Sequence, residues 1–315
     1  MKKKYAALVT GYVSMDHIIN ISSPAKVGFT SLIENQSNST IRYGGCSVNI
    51  AYALCKLNMP SVPVIRVGSD YESTGFKEFL EKGNVPPVGI KKIESDSTSI
   101  SYLLKDNNGD HITIFYPGAM REAYAHEIPD DLFDEAALGV ITVGTKKDNL
   151  YFARQCISHK LPIVFCMKGD MKAFSREVLL ETLNHSKIIF TNECERKTIE
   201  EVLDIPDIRK FFDTGICDVI VVTYGKKGSR YYCKNGDTGE VPSFDLFPAK
   251  DTTGCGDGYV SGFLYGYLHD KPIKDCCLYG SIVSSYVLAQ EGCCTSLPTE
   301  QELTDAFTKI GVSHE

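Results

Sequence analysis

The chain has 315 residues, well beyond the ~150 of an average domain, so it has room for a large buried core in one big domain or two smaller ones. Its 43% hydrophobic and 23% charged residues match an ordinary globular protein and exclude collagen-like, mucin-like and broadly disordered classes. Lys plus Arg is 33 and Asp plus Glu is 40, a net charge of −7, so no global attraction draws it to a phosphate backbone and nucleic acid is not an expected partner.

The opening Met1-Lys2-Lys3-Lys4 carries the charge of a signal peptide. The apolar stretch after it is too short, lacks a small-residue cleavage site and runs into Asp16, so residues 5–13 are predicted to be a first strand. Further apolar runs at 62–67, 139–143, 162–166, 187–190 and 218–222 read as buried parallel strands. Between them, helical spacing covers 48–57, 74–81, 149–158, 174–183 and 194–203. This alternation predicts a doubly wound, mostly parallel α/β sheet flanked by helices. A last hairpin is expected near 231–241, with helices from 255 to 310. Two regions, 29–43 and 98–116, alternate polar and apolar residues instead, the second with a turn at Asn107-Asn108-Gly109-Asp110. They predict a small inserted antiparallel β lid, built from segments of about 17–43 and 98–117 in one domain spanning 1–315.

No segment approaches the ~20 apolar residues of a membrane helix, and no membrane partner is expected. The twelve cysteines are too sparse for a disulfide scaffold, and several sit in apolar runs, which points to the reducing cytoplasm. The adjacent pairs Cys276-Cys277 and Cys293-Cys294 lack the spacing with which two thiolates grip one zinc.

The most informative stretch is Asp251-Thr252-Thr253-Gly254-Cys255-Gly256-Asp257, a glycine-rich turn feeding a helix. Such a helix N-terminus offers unpaired N–H groups and the positive end of a dipole, and glycines let an anion approach the backbone. Asp257 in the first turn either favours the dipole or, beside an anion hole, accepts a proton from an attacking hydroxyl. A second glycine turn, Gly44-Gly45-Cys46-Ser47-Val48-Asn49, opens another helix. It reads as a chain reversal that needs glycine or as a ligand loop. Gly11-Tyr12-Val13-Ser14-Met15-Asp16 falls at the end of the first strand, where ligands of open α/β sheets collect. Asn192 and Glu195 fit a helix cap with an acidic first turn. No P-loop, G-x-G-x-x-G, H-E-x-x-H or G-x-S-x-G motif is present.

Together these motifs resemble the ribokinase-like, or PfkB, carbohydrate kinase family, in the family's order, from about residue 5 to 300. Asp251 to Asp257, followed by Gly262-Phe263, is similar to the family's D-T-x-G-A-G-D signature, with Cys255 in place of alanine. The resemblance implies Asp257 as catalytic base and Gly254, Cys255 and Gly256 as the anion hole. It implies Asp16, Gly45 and Asn49 as contacts to sugar hydroxyls. Asn192 and Glu195 resemble the N-x-x-E motif near phosphate and magnesium, with Glu195 toward the metal. Thr223, Gly225 and Gly228 resemble the T-x-G-x-x-G turn along the nucleotide. ATP and Mg2+ are the implied cofactors; K+ activation, seen in parts of the family, is not legible in these residues.

Phe115 to Met120 and Asp16-His17 look like a bacterial group of adenosine kinases, in which the residue matching Phe115 stacks on the base. Two departures stand against adenosine itself. The group's second aromatic falls on Ser101, with Tyr102 able to serve only in another register, and its glutamine pair falls on Gly169-Asp170. The expected activity is ATP-dependent phosphorylation of the primary hydroxyl of a ribosyl-type small molecule, a nucleoside foremost. A free-sugar kinase and a non-catalytic ligand-binding protein are the alternatives. Exposed lid strands could also pair two copies into a homodimer.

Overall fold

The structure is a computed structural model that describes residues 3–107, 111–169 and 173–312. Asn108, Gly109 and Asp110 of the expected lid turn, and Asp170, lie outside the described residues. In chain order the strands are β1 (Tyr5–Thr10), β2 (Ser14–Ile21), β3 (Ile41–Gly44), β4 (Ser61–Gly68), β5 (Ile90–Ile93), β6 (Ile100–Asp106) and β7 (His111–Tyr116). They continue with β8 (Ala136–Ile141), β9 (Ile163–Cys166), β10 (Ser186–Asn192), β11 (Val219–Thr223), β12 (Ser229–Cys233) and β13 (Thr238–Val241). Among the described residues, nine form one sheet in the order β13-β12-β11-β10-β9-β8-β1-β4-β5, and β3-β2-β6-β7 form a second.

From β11 to β5 the large sheet is parallel, and β12 and β13 add an antiparallel edge. Both faces are covered, which is why its strands read as unbroken apolar runs. In β9, Ile163 and Phe165 enter one core layer with Phe152 and Phe174, while Val164 and Cys166 enter the other with Phe190 and Phe263. The period-two alternation of a strand divides the core in this way. No helix among the described residues is long and apolar enough to cross a membrane.

Residues 5–13, read as one strand, break after Thr10. At Gly11 the chain turns with φ 144°, so close to β8 that a Cβ there would lie 1.8 Å from Thr142 Oγ1. It restarts as β2, which carries Asp16 into the second sheet instead of leaving it at the end of β1. The expected strand region 29–43 holds only β3, one 3-10 turn (Gln36–Ser39) and an isolated bridge at Ile33. The lid is therefore mixed where antiparallel pairing was expected: β2 runs parallel to β6, and the β2/β3 and β6/β7 pairs are antiparallel. A parallel pair needs a long crossover, and the stretch that runs from β3 of the lid through β4 and β5 of the large sheet supplies it.

Directly paired residues on neighbouring strands share a face. The register aligns Arg42, Asp16, Ser101 and Phe115 across the four strands as one row. The neighbouring row, His17, Tyr102 and Ile114, points the other way. Tyr102 stacks on His17 at 5.4 Å between ring centroids, and Ile112 and Ile114 of that face are exposed.

Candidate active site

From β1 the large sheet grows one way through β4 and the other way through β8, so the topology switches direction beside β1. Ligands of open α/β sheets sit in the crevice at such a point, outside the carboxyl ends of the strands. Lys168 follows β9, Asn192 ends β10 and Thr223 ends β11 along that edge. The helix Cys255–Leu268 aims its N-terminus there, fixed by close packing on the helix Ile273–Leu288. Gly262 permits this approach, since a Cβ would lie 2.3 Å from Tyr279 O, and Phe263 fills the core fully buried.

Gly254 caps that helix in a left-handed conformation, φ 77°, with its Cα against Cys293; an added Cβ would come within 2.4 Å of the thiol. Gly256 is different, because a Cβ there would meet only Lys168 Nζ, at 3.5 Å, within 4 Å. The backbone at Gly256 thus borders open space at the start of the helix, where an anion can approach. Cys255 stays a neutral lining group, since burial pushes its thiol up to about 11, and burial with the Asp257 charge pushes Cys46 up to about 12. All twelve cysteines are free thiols.

Asp257 is 2% exposed, yet a carboxylate this deep must be paired to stay charged. The Asn49 amide donates to its Oδ2 at 2.8 Å, and Lys168 Nζ stands 2.7 Å from its Oδ1. Burial pulls the Lys168 ammonium down, but the nearby Asp257 carboxylate outweighs that and holds it above the ordinary lysine value. Asn49 also accepts from the Cys294 thiol at 3.5 Å. Gly44, the first residue of the second glycine turn, leaves room between Asn49 and Asp16: a Cβ would lie 2.9 Å from Asn49 Oδ1 and 3.7 Å from Asp16 Oδ2. Gly45 has its own structural reason, φ 89° and a Cβ position 2.3 Å from Tyr12 O.

Ser14 Oγ donates to Asp16 Oδ1 at 2.5 Å and shares a 2.7 Å hydrogen bond with Ser101 Oγ. Burial pushes the Asp16 carboxyl up, and the two serine hydroxyls pull against it. Ser101, where an aromatic residue was looked for, therefore braces Asp16. The ring beside Phe115 is Tyr12, at 5.0 Å between centroids and 57° between planes. Tyr102 faces away, so the alternative register is not the one adopted.

Asn192 and Glu195 engage each other in a capping box: Asn192 Oδ1 accepts from Glu195 N, and a Glu195 carboxylate oxygen accepts from Asn192 N, both at 2.8 Å. Burial pushes the Glu195 carboxyl up, and it feels both Lys168 and Asp257. Thr223 ends β11, and Gly225 and Gly228 turn with φ 58° and 90°. Gly228 closes the turn against Val241 O, while the space over Gly225 is open. These three lie along the same sheet edge without contacting Asp257. The lid reaches the glycine turn through Lys105, whose Nζ is 2.8 Å from the buried Asp251. Burial raises the Asp251 carboxyl, but Lys105, the Gly292 amide and Thr253 together hold it below the ordinary value. A separate hollow of about 500 Å³ lies at the far end of the helix Cys46–Lys56, by Asn58 and Glu300, and holds none of this chemistry.

The sequence reading missed Lys168. Its only local signal is a lysine two places after a buried strand, next to Gly169-Asp170.

A parallel sheet with an anion cradle, a buried carboxylate beside it and a polar lid row define a phosphotransferase acting on a small alcohol. The chain belongs to the pfkB family of carbohydrate kinases, whose family model matches residues 6–300. It is 27% identical over 299 residues to a nucleoside kinase of Methanocaldococcus jannaschii, covering 95% of each chain. It is 28% identical over 303 residues to a nucleoside kinase of Methanothermobacter thermautotrophicus, covering 96% of this chain and 95% of that one. The crystal structure of the Methanocaldococcus jannaschii nucleoside kinase, an archaeal member of the ribokinase family, superposes with a TM-score of 0.87 at 25% identity, covering 98% of this chain and all of the other.

Proposed function

We propose that the protein transfers the γ-phosphoryl group of ATP to the primary hydroxyl of a nucleoside. The observation that carries this reading is the row Asp16, Ser101, Phe115 over the crevice that holds Asn49 and Asp257. Asp16 and Phe115 are two strands apart, roughly 10 Å at the usual inter-strand spacing, which suits a ribose under the carboxylate and a base against the ring. Tyr12 and Phe115 form the base platform, and Asp16 with Asn49 accepts and donates hydrogen bonds to the sugar hydroxyls.

In the transfer, the substrate oxygen forms a bond to the γ-phosphorus and its proton passes to the Asp257 carboxylate. The bond from γ-phosphorus to the β,γ-bridging oxygen breaks, and its electron pair leaves with ADP. The helix N-terminus at Gly254 to Gly256, with open space beside Gly256, would supply donors and a positive dipole end to the charge on the moving phosphoryl group. Asn192, Thr223, Gly225 and Gly228 line the edge on which the nucleotide would lie. Mg2+ is usually held by one or two carboxylates plus phosphate oxygens, and the half-buried Glu195 near Lys168 and Asp257 fits that donor set. When bound it neutralises phosphate charge. The lid row closes over the acceptor and excludes water, the competing acceptor.

ATP turnover by purified protein against nucleosides and free sugars tests the reading. Turnover of a nucleoside with ribose and fructose inert is expected; turnover of free sugars alone overturns the base platform and leaves the transfer chemistry standing.

A further inference from the structure

Lys168 stands where two needs meet. Its Nζ is 2.7 Å from Asp257 Oδ1 and borders the otherwise open space above Gly256, at the mouth of the helix N-terminus. The carboxylates whose charge acts on Lys168 are Asp257 and Glu195, and the lid's Lys105 is already engaged with Asp251. A dianionic terminal phosphate entering this crevice needs more positive charge than a helix terminus, worth about half an elementary charge, provides. An ammonium has three donors and no acceptor, so one N–H can hold Asp257 while another reaches an oxygen of the incoming group.

We propose that Lys168 is a catalytic residue that bridges Asp257 and the transferred phosphoryl group. It holds the base aimed before the nucleotide arrives, then offers a donor to the equatorial phosphoryl oxygens as the bond to the bridging oxygen breaks. No atom is transferred to or from the lysine; its part is charge and position, on the transfer already written. The Asp257 charge outweighs the opposing effect of burial and leaves it protonated, consistent with a donor that never acts as a base. The proposal rests on the kinase reading and extends it by naming the cation at the phosphoryl site.

The test compares wild type, Lys168→Gln and Lys168→Arg in steady-state kinetics with ATP and the best nucleoside acceptor. Thermal unfolding and calorimetric binding of that nucleoside accompany each. Removing one such preorganised donor is expected to lower kcat by about 10²–10³-fold. For Lys168→Gln the nucleoside Kd is expected to stay within a few-fold, and Lys168→Arg, which keeps the charge, to recover part of the lost kcat. Lys168→Gln with kcat within threefold of wild type, or a lowered Tm with unchanged kcat in the folded fraction, overturns the proposal and leaves the kinase reading intact. Equal loss in both variants also overturns it, because the charge would not be what matters. A wild type that turns over ATP with no acceptor in the panel overturns both.

Discussion

The ion pairs Arg66–Asp148 and Lys168–Asp257 are built differently. Arg66 on β4 gives both terminal nitrogens to Asp148, at 2.9 and 2.8 Å, its Nε to Ala119 O at 2.9 Å and a further N–H to Met120 O at 3.1 Å. Asp148 takes the Thr145 hydroxyl as well, at 2.7 Å, and the pair is 4% and 13% exposed. A planar fork matched to a carboxylate and spent entirely on protein groups is a structural clamp, fastening β4 to the segment after the lid and to the helix Lys146–Ser158. Lys168 and Asp257 are 29% and 3% exposed, and space for a ligand opens beside the ammonium. A flexible point charge half open to a crevice can change partners, which the arginine cannot. Saturation marks the scaffold pair, and incomplete enclosure marks the working one.

The largest effect is expected at the working pair. Asp257→Asn should keep nucleoside binding and lose about 10²–10⁴-fold in kcat, the usual contribution of a general base. A fully active variant would remove Asp257 from the chemistry. Arg66→Ala should do the reverse, costing about 3–5 kcal/mol of unfolding free energy by stranding Asp148 and leaving kcat of the folded enzyme near wild type. Denaturant unfolding with activity assays on the same preparation measures both; a stable but inactive Arg66→Ala would erase the contrast drawn above.

Phe115→Ala tests the lid row. Loss of one base-stacking face is worth about 1–3 kcal/mol, so the nucleoside KM should rise roughly 5- to 150-fold with a smaller change in kcat. An unchanged KM would make Phe115 a packing residue under the lid. The smallest effect is expected at Lys105→Met. The folded Asp251 carboxyl is held below its ordinary value, so it contributes stability that is present above about pH 4 and lost as pH falls through its folded pKa. Without Lys105 that depression shrinks. Wild-type unfolding free energy should therefore fall more steeply than the variant's between about pH 5 and 3. Parallel slopes would mean that the lid contact leaves Asp251 untouched.

The anion cradle was legible because it is local. Asp251 to Asp257 states its turn, helix start and carboxylate within seven residues, and the strands announced themselves by apolar runs with both faces buried. The lid was half legible. Its alternation is visible in β6 and β7, but residues 11–13 read as a continuation of β1 with Asp16 at its end, because nothing local reveals that Gly11 must turn to clear Thr142.

By itself the sequence determined most of the order of strands and helices, the glycine turns and the carboxylate in the first turn of the helix that follows Gly254, since periodicity and turn chemistry act over a few residues. Only the tertiary structure decided that Lys168 meets Asp257, that Tyr12 meets Phe115, that Ser101 braces Asp16 and that Lys105 reaches Asp251. Those pairings follow from sheet order and strand register, and a register is fixed by the burial of whole faces at once, which no short window of sequence contains.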